Sequence, residues 1–143
     1  MSNQNIRYKG GRVDIDQAIN FKFNGNEYIG YQGDTLASAL LANDVHLIGR
    51  SFKYHRPRGI LTSGSEEPNA LVQLGLGART EPNMRATEIE IYEGLEASSQ
   101  NCWPSVNFDI GSINNFLSRV FPAGFYYKTF MWPPSLWLFY EHF

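Results

Sequence analysis

With 143 residues the chain has room for one domain of ordinary size, whose core can form without metal or disulfide support. A formal net charge of -2 with 15% aromatic residues excludes a polybasic nucleic-acid binder and an acidic disordered chain. One cysteine, Cys102, excludes an internal disulfide and any metal site needing two cysteine ligands from this chain, and no apolar run has signal-peptide or membrane-spanning length, so a cytoplasmic protein with no membrane or nucleic-acid partner is expected.

Residues 1–18 are polar, carry Gly10-Gly11 and read as an N-terminal arm. In "FKFNGNEYIG", Asn24-Gly25 lies between alternating residues, which predicts a two-residue type I′ turn with Phe21, Phe23, Tyr28 and Gly30 on one face and Lys22 opposite Glu27. "GDTLASALLAND" predicts a helix with Asp34 as N-cap, Leu36, Ala39 and Leu40 on its buried stripe, and Asn43 as its stop. Two strands are expected at "ALVQLGL" and "ATEIEIYEGL", where Thr87, Ile89 and Ile91 alternate with Glu88, Glu90 and Tyr92. A hairpin, a helix and two further strands make an α+β, β-grasp domain over residues 19–98, a small mixed sheet with one packed helix.

Beyond it, residues 99–143 read as a C-terminal helical and aromatic extension. "SINNFLSRVF" sets Ile113, Phe116, Leu117, Val120 and Phe121 at helical spacing behind Ser112 as a cap. The aromatic segment from Phe121 to Phe143 contains three prolines, too irregular for a membrane helix and too apolar for a free tail. It suits a hydrophobic interface or the wall of a flavin or substrate pocket.

Chemistry concentrates in "RSFKYHRPRG", where Arg50, Lys53, Arg56 and Arg58 surround Tyr54 and His55. Guanidinium groups suit phosphate or carboxylate in bidentate geometry, so one reading is a cofactor site for a nucleotide or flavin phosphate. The other is a solvated loop or subunit interface, for which the seven Glu between Glu66 and Glu96 offer an internal partner. The three histidines, His46, His55 and His142, are scattered and have no carboxylate at ligand spacing, so no metal site is expected from them. Cys102 in "QNCWPS" has no evident base and reads as a packed thiol. "TSGSEE" lacks the G-x-S-x-G pattern around Ser63 and Ser65, and "GLGART" lacks the third glycine of a dinucleotide fingerprint. Glu66 and Glu67 are adjacent in a turn and are expected to point apart, solvated or paired with Arg. No catalytic residue and no self-contained active site follow from these patterns.

The strings "RSFKYHRPRGILTSGSEEPNALVQ", "EPNMRAT", "QNCWPSVNFD" and "PAGFYYKTFMWP" closely resemble the N-terminal region of heterotetrameric sarcosine oxidase alpha subunits, from about Arg7 to Glu141. That resemblance implies a [2Fe-2S] ferredoxin-like domain, which carries a cluster in related dehydrogenases such as hydrogen cyanide synthase and hydroxyproline dehydrogenase. A plant-type cluster needs C-x4-C-x2-C and a distant fourth cysteine. Laid on this sequence, those places fall at Thr62, Glu67, Ala70 and Thr87, none of them Cys, so the resemblance implies a cluster-free form. It further implies a complex of alpha, beta, gamma and delta subunits that demethylates sarcosine to glycine with FAD, FMN and NAD, and zinc in the delta subunit. The dinucleotide-binding domain that follows in the alpha subunit lies beyond this chain. Two alternatives stand beside an interface module of that complex: a small electron-transfer subunit of an amine or imino acid dehydrogenase, and an anion-binding module.

Overall fold

The computed structural model describes residues 11–119 together with Gln4 and Arg7. Asn24 and Gly25 both take positive φ, 53° and 79°, the conformation a type I′ turn requires. The turn joins β1 (Asp14–Phe23) to β2 (Asn26–Gln32) in the expected register, with Phe21 opposite Tyr28 and Lys22 opposite Glu27. The ion pair of Lys22, however, is made across the other neighbour, to Glu96 at 3.5 Å. β1 also begins at Asp14, inside the stretch read as an arm, and its pairing is irregular between Asp14 and Ala18.

Helix α1 (Leu36–Ala42) buries Leu36, Ala39 and Leu40 as its stripe predicted, and Asn43 ends it. Its N-cap is Thr35 rather than Asp34: the Thr35 Oγ1 accepts from the Ser38 N–H at 3.2 Å. Asp34 is instead drawn inward, where its carboxylate accepts from Arg7 Nη1 (2.9 Å) and Nη2 (2.7 Å) and from the Tyr31 N–H (3.0 Å). A charged partner outcompetes the helix terminus for this side chain.

After α1 come a two-residue ribbon, β3 (Gly49–Arg50) against β4 (Pro57–Arg58), then β5 (Leu71–Leu74), β6 (Glu81–Arg85) and β7 (Glu96–Ser99). The main sheet has five strands in the order β2-β1-β7-β5-β6, and only β1 and β7 run parallel. A mixed sheet with one helix across it is the α+β arrangement that the sequence pattern implied and the ferredoxin-like one that the resemblance implied.

The stretch "ATEIEIYEGL" is not a strand. Its carbonyls are already committed: Ala86 O accepts from Ala37 N (2.9 Å) and Ile89 O from Leu36 N (2.7 Å). They thereby satisfy orphan donors in the first turn of α1. The alternation still reports burial, because Thr87, Ile89 and Ile91 are buried while Glu88, Glu90 and Tyr92 are exposed. Core residues Phe21, Phe23, Leu36, Leu40, Ile48, Val72, Ile91 and Leu95 meet between helix and sheet. Gly30 sits beneath them without room for a side chain, since a Cβ there would collide with Ile91 Cδ1 and crowd Ala39.

The extension makes a 3-10 turn at Ile110–Ser112 and one short helix, α2 (Ile113–Phe116). Ser112 makes no side-chain cap bond to α2; Asp109 caps the preceding 3-10 turn by accepting from Gly111 N. Ile113 and Phe116 point to solvent, 61% and 83% exposed, while Val120, Phe121 and the aromatic segment to 143 lie outside the described residues. Among the described residues no helix is long and apolar enough to cross a membrane.

Candidate functional site

Two neighbouring loops contain the residues singled out from sequence. The first, residues 51–56, is the turn of the β3-β4 ribbon, tied by Ser51 N to Arg56 O and His55 N to Ser51 O, each at 2.9 Å. His55 takes a positive φ of 53° there. This conformation sends the imidazole toward the extension, where His55 Nδ1 lies 2.8 Å from Asp109 Oδ2.

Arg50 is mostly buried where the other three cations are exposed, although it lines one pocket with Arg58. Its side chain is only 10% exposed; Nε donates to Val106 O and Nη1 to His55 O, both at 2.8 Å, and Nε lies 3.6 Å from Asp109 Oδ2. Its carboxylate partner is therefore Asp109 and not one of the Glu residues between 66 and 96. Asp109 is buried and also accepts from the N–H groups of Trp103 (2.9 Å) and Gly111 (3.1 Å). Burial pushes its carboxyl up, but the Trp103 N–H, the His55 ring and the Gly111 N–H outweigh it and hold the group below its ordinary range. Arg50, His55 and Asp109 thus pin the extension to the ribbon.

Lys53, Arg56 and Arg58 face outward with Phe52, which is 84% exposed. Arg56 lies over the Tyr54 ring at 4.8 Å and donates through Nε to Asn115 Oδ1 at 2.9 Å; Lys53 Nζ stands 5.5 Å from the same ring. Arg58 donates to Asn69 Oδ1 at 2.9 Å. Tyr54 holds two cations against one ring, and Asn69 ties the ribbon to the second loop.

Of the four positions that the resemblance implies for cluster ligands, Thr62, Glu67 and Ala70 lie in that second loop, residues 59–70, and Thr87 lies outside it. Thr87 approaches the loop by donating from Oγ1 to Gly64 O at 2.8 Å. The Glu67 carboxylate bonds both ends of the loop. Oε2 accepts from the N–H groups of Leu61 (2.7 Å) and Thr62 (2.6 Å), and Oε1 from those of Asn69 (2.7 Å) and Ala70 (3.1 Å). Glu67 is 1% exposed, whereas Glu66 faces solvent, so the expectation that Glu67 is solvated or paired with Arg fails. Burial raises its pKa, but the four backbone donors prevail and lower it to about 2.

A [2Fe-2S] cluster held by four thiolates does not fit these residues. Two threonines, an alanine and a glutamate stand at the four positions the resemblance implies, and the glutamate carboxylate is bonded to the backbone of Thr62 and Ala70. Cys102 is elsewhere, its sulfur 4.0 Å from Ser99 O; burial and the nearby Asp109 charge raise its pKa, which keeps it a packed thiol. His46 pairs with Asp44 at 2.8 Å, apart from His55, and His142 lies outside the described residues.

Comparison with known proteins agrees with the fold and places the loop in context. Sarcosine oxidase subunit alpha of Rhizobium meliloti (strain 1021) is 64% identical over 129 residues, which is 90% of this chain and 13% of that protein. Sarcosine oxidase subunit alpha of Corynebacterium sp. (strain U-96) is 38% identical over 62% of this chain and 10% of its own length. The chain thus spans about an eighth or less of the curated relatives it matches. Among solved structures, L-proline dehydrogenase from P. horikoshii shares the fold at a TM-score of 0.50 and 24% identity, over 73% of this chain and 19% of that one. The family model described as "2Fe-2S iron-sulfur cluster binding domain" matches residues 16–102, the sheet, the helix and both loops together. The chain is therefore a homologue of part of sarcosine oxidase subunit alpha and belongs to the 2Fe-2S iron-sulfur cluster binding domain family.

Proposed function

We propose that this chain is a cluster-free, non-catalytic interface module of a flavin-dependent complex that oxidatively demethylates sarcosine to glycine. The observation that carries the reading is the 64% identity to a sarcosine oxidase alpha subunit over 90% of the chain, joined to a cluster loop with no thiolate at any ligand position. In this reading FAD, FMN and NAD belong to the assembled cytoplasmic enzyme, and beta, gamma and delta subunits and the other alpha-subunit domains are the partners. Lys53, Arg56 and Arg58, with Phe52 at their edge, form the contact face, while Arg50 holds that face in place from behind. A face with three cations and one exposed aromatic ring has the composition of an interface rim around an anchor.

The test is co-purification of the tagged chain from its native extract, with mass spectrometry of partners and an absorbance spectrum. Beta, gamma and delta subunits with flavin bands support the reading; iron with acid-labile sulfide overturns it in favour of an electron-transfer subunit. The exposed cations favour one other reading, an anion-binding module. It predicts that the purified chain alone binds flavin nucleotide, more weakly with added salt and after Arg56→Ala.

A further inference from the structure

The 59–70 loop has almost no architecture of its own. It contains no strand or helix, and a backbone bond within it runs from Glu67 N to Gly64 O at 3.1 Å. Within the loop, most of the remaining hydrogen bonds go to one carboxylate. Four backbone N–H groups, from Leu61 and Thr62 on one side and Asn69 and Ala70 on the other, converge on the two oxygens of Glu67, and the Thr62 hydroxyl adds a longer contact at 3.4 Å. Successive N–H groups turned inward in this way form an anion-binding concavity. The occupant is tethered to the loop it organises.

A cluster ligated by four thiolates is itself anionic, and hydrogen bonds to its sulfurs are part of how a protein holds and tunes it. A loop built for such an anion cannot simply lose it, because the inward N–H groups would be left buried and unpaired. We propose that Glu67 replaces the cluster as the anion around which this loop is wound, and that the loop is an anion nest selective for a small carboxylate that the chain supplies from its own side chain. The proposal rests on the cluster-free reading above. It adds that the loop's shape depends on Glu67 and on no metal. Two further contacts hold the nest in register: Thr87 Oγ1 to Gly64 O at 2.8 Å and Arg85 Nε to Glu67 O at 3.2 Å.

The experiment compares wild type with Glu67→Gln and Glu67→Ala in the full chain. Glutamine keeps the shape but places an amide donor against N–H groups that need an acceptor. Amide exchange at Leu61, Thr62, Asn69 and Ala70 is expected to quicken about tenfold or more in Glu67→Gln, with exchange in the β1-β2 hairpin unchanged. Glu67→Ala empties the nest, so sodium formate should raise its melting temperature saturably, while sodium chloride at equal ionic strength does not and wild type does not respond to formate. Unchanged exchange at the four amides in Glu67→Gln overturns the proposal, as does a formate response equal in wild type and Glu67→Ala. Should Glu67→Ala not fold, the exchange arm on Glu67→Gln decides alone. Iron and sulfide analysis of wild type, run in parallel, reports separately on the cluster-free reading.

Discussion

Replacing Asp109 with Asn removes one function of that carboxylate and leaves another. Asp109 Oδ1 accepts from Trp103 N and Gly111 N, and an asparagine oxygen can retain both. Oδ2 faces His55 Nδ1 at 2.8 Å and Arg50 Nε at 3.6 Å, and there the variant presents an amide donor. Removing one member of a buried charge pair costs ~3–5 kcal/mol when the survivor has no other partner. Arg50 keeps the carbonyls of Val106 and His55, so the expected loss is smaller, about 2–3 kcal/mol. For a chain of this length that is a fall in Tm of roughly 8–12 °C at pH 7. Because the Asp109 carboxyl is held below its ordinary value near 3.8, its contribution is full above that value and is lost as pH falls through the lower folded one. Thermal melts of both proteins should show a wide gap at pH 7 that narrows below about pH 4. A variant melting within about 2 °C of wild type at pH 7, or a gap of equal size at pH 3, would refute the claim that Asp109 locks the extension to the ribbon.

Other substitutions probe the frame that carries these loops. Gly30→Val drives a branched side chain into Ile91 and Ala39 and should cost about 1–3 kcal/mol, read as a lower urea midpoint at constant m-value. Asn24→Gly keeps the left-handed turn but removes the Asn24 bonds to Ser99 N (2.7 Å) and Ser99 Oγ (2.9 Å); a loss of roughly 1–2 kcal/mol is expected from chemical denaturation. Thr35→Ala should cost about 1 kcal/mol through the α1 cap, and Thr35→Ser should recover most of it in the same titration.

Where local geometry decides, the sequence was readable. Asn24-Gly25 dictates a primed turn whatever surrounds it, and the stripe on α1 follows from helical spacing alone. Ile89 and Ile91 were correctly read as buried but wrongly placed in a strand, because alternation reports which side faces the core and not which backbone groups pair. The charged partners of Asp34 and Arg50 are Arg7 and Asp109, 27 and 59 positions away, beyond any local rule for capping or clustering. The burial of Glu67 had one signal in the sequence: of the four residues at the positions the resemblance implies for cluster ligands, it alone carries a negative charge. The basic stretch read as one unit divides in space, since Arg50 turns inward while Lys53, Arg56 and Arg58 turn out.

The sheet order carries a consequence for how the chain acquires its structure. Its middle strand, β7, is the last in sequence, and it joins the β1-β2 hairpin to the β5-β6 pair. Until residues 96–99 have been synthesised, those two halves share no strand pairing, and each exposes an unsatisfied edge. Closing Lys22 onto Glu96 spans most of the domain, the kind of contact that slows folding more than it limits stability. A nascent chain halted before Glu96 therefore has two half-sheets with facing open edges, and it is at this stage of synthesis that the domain most needs protection from its neighbours.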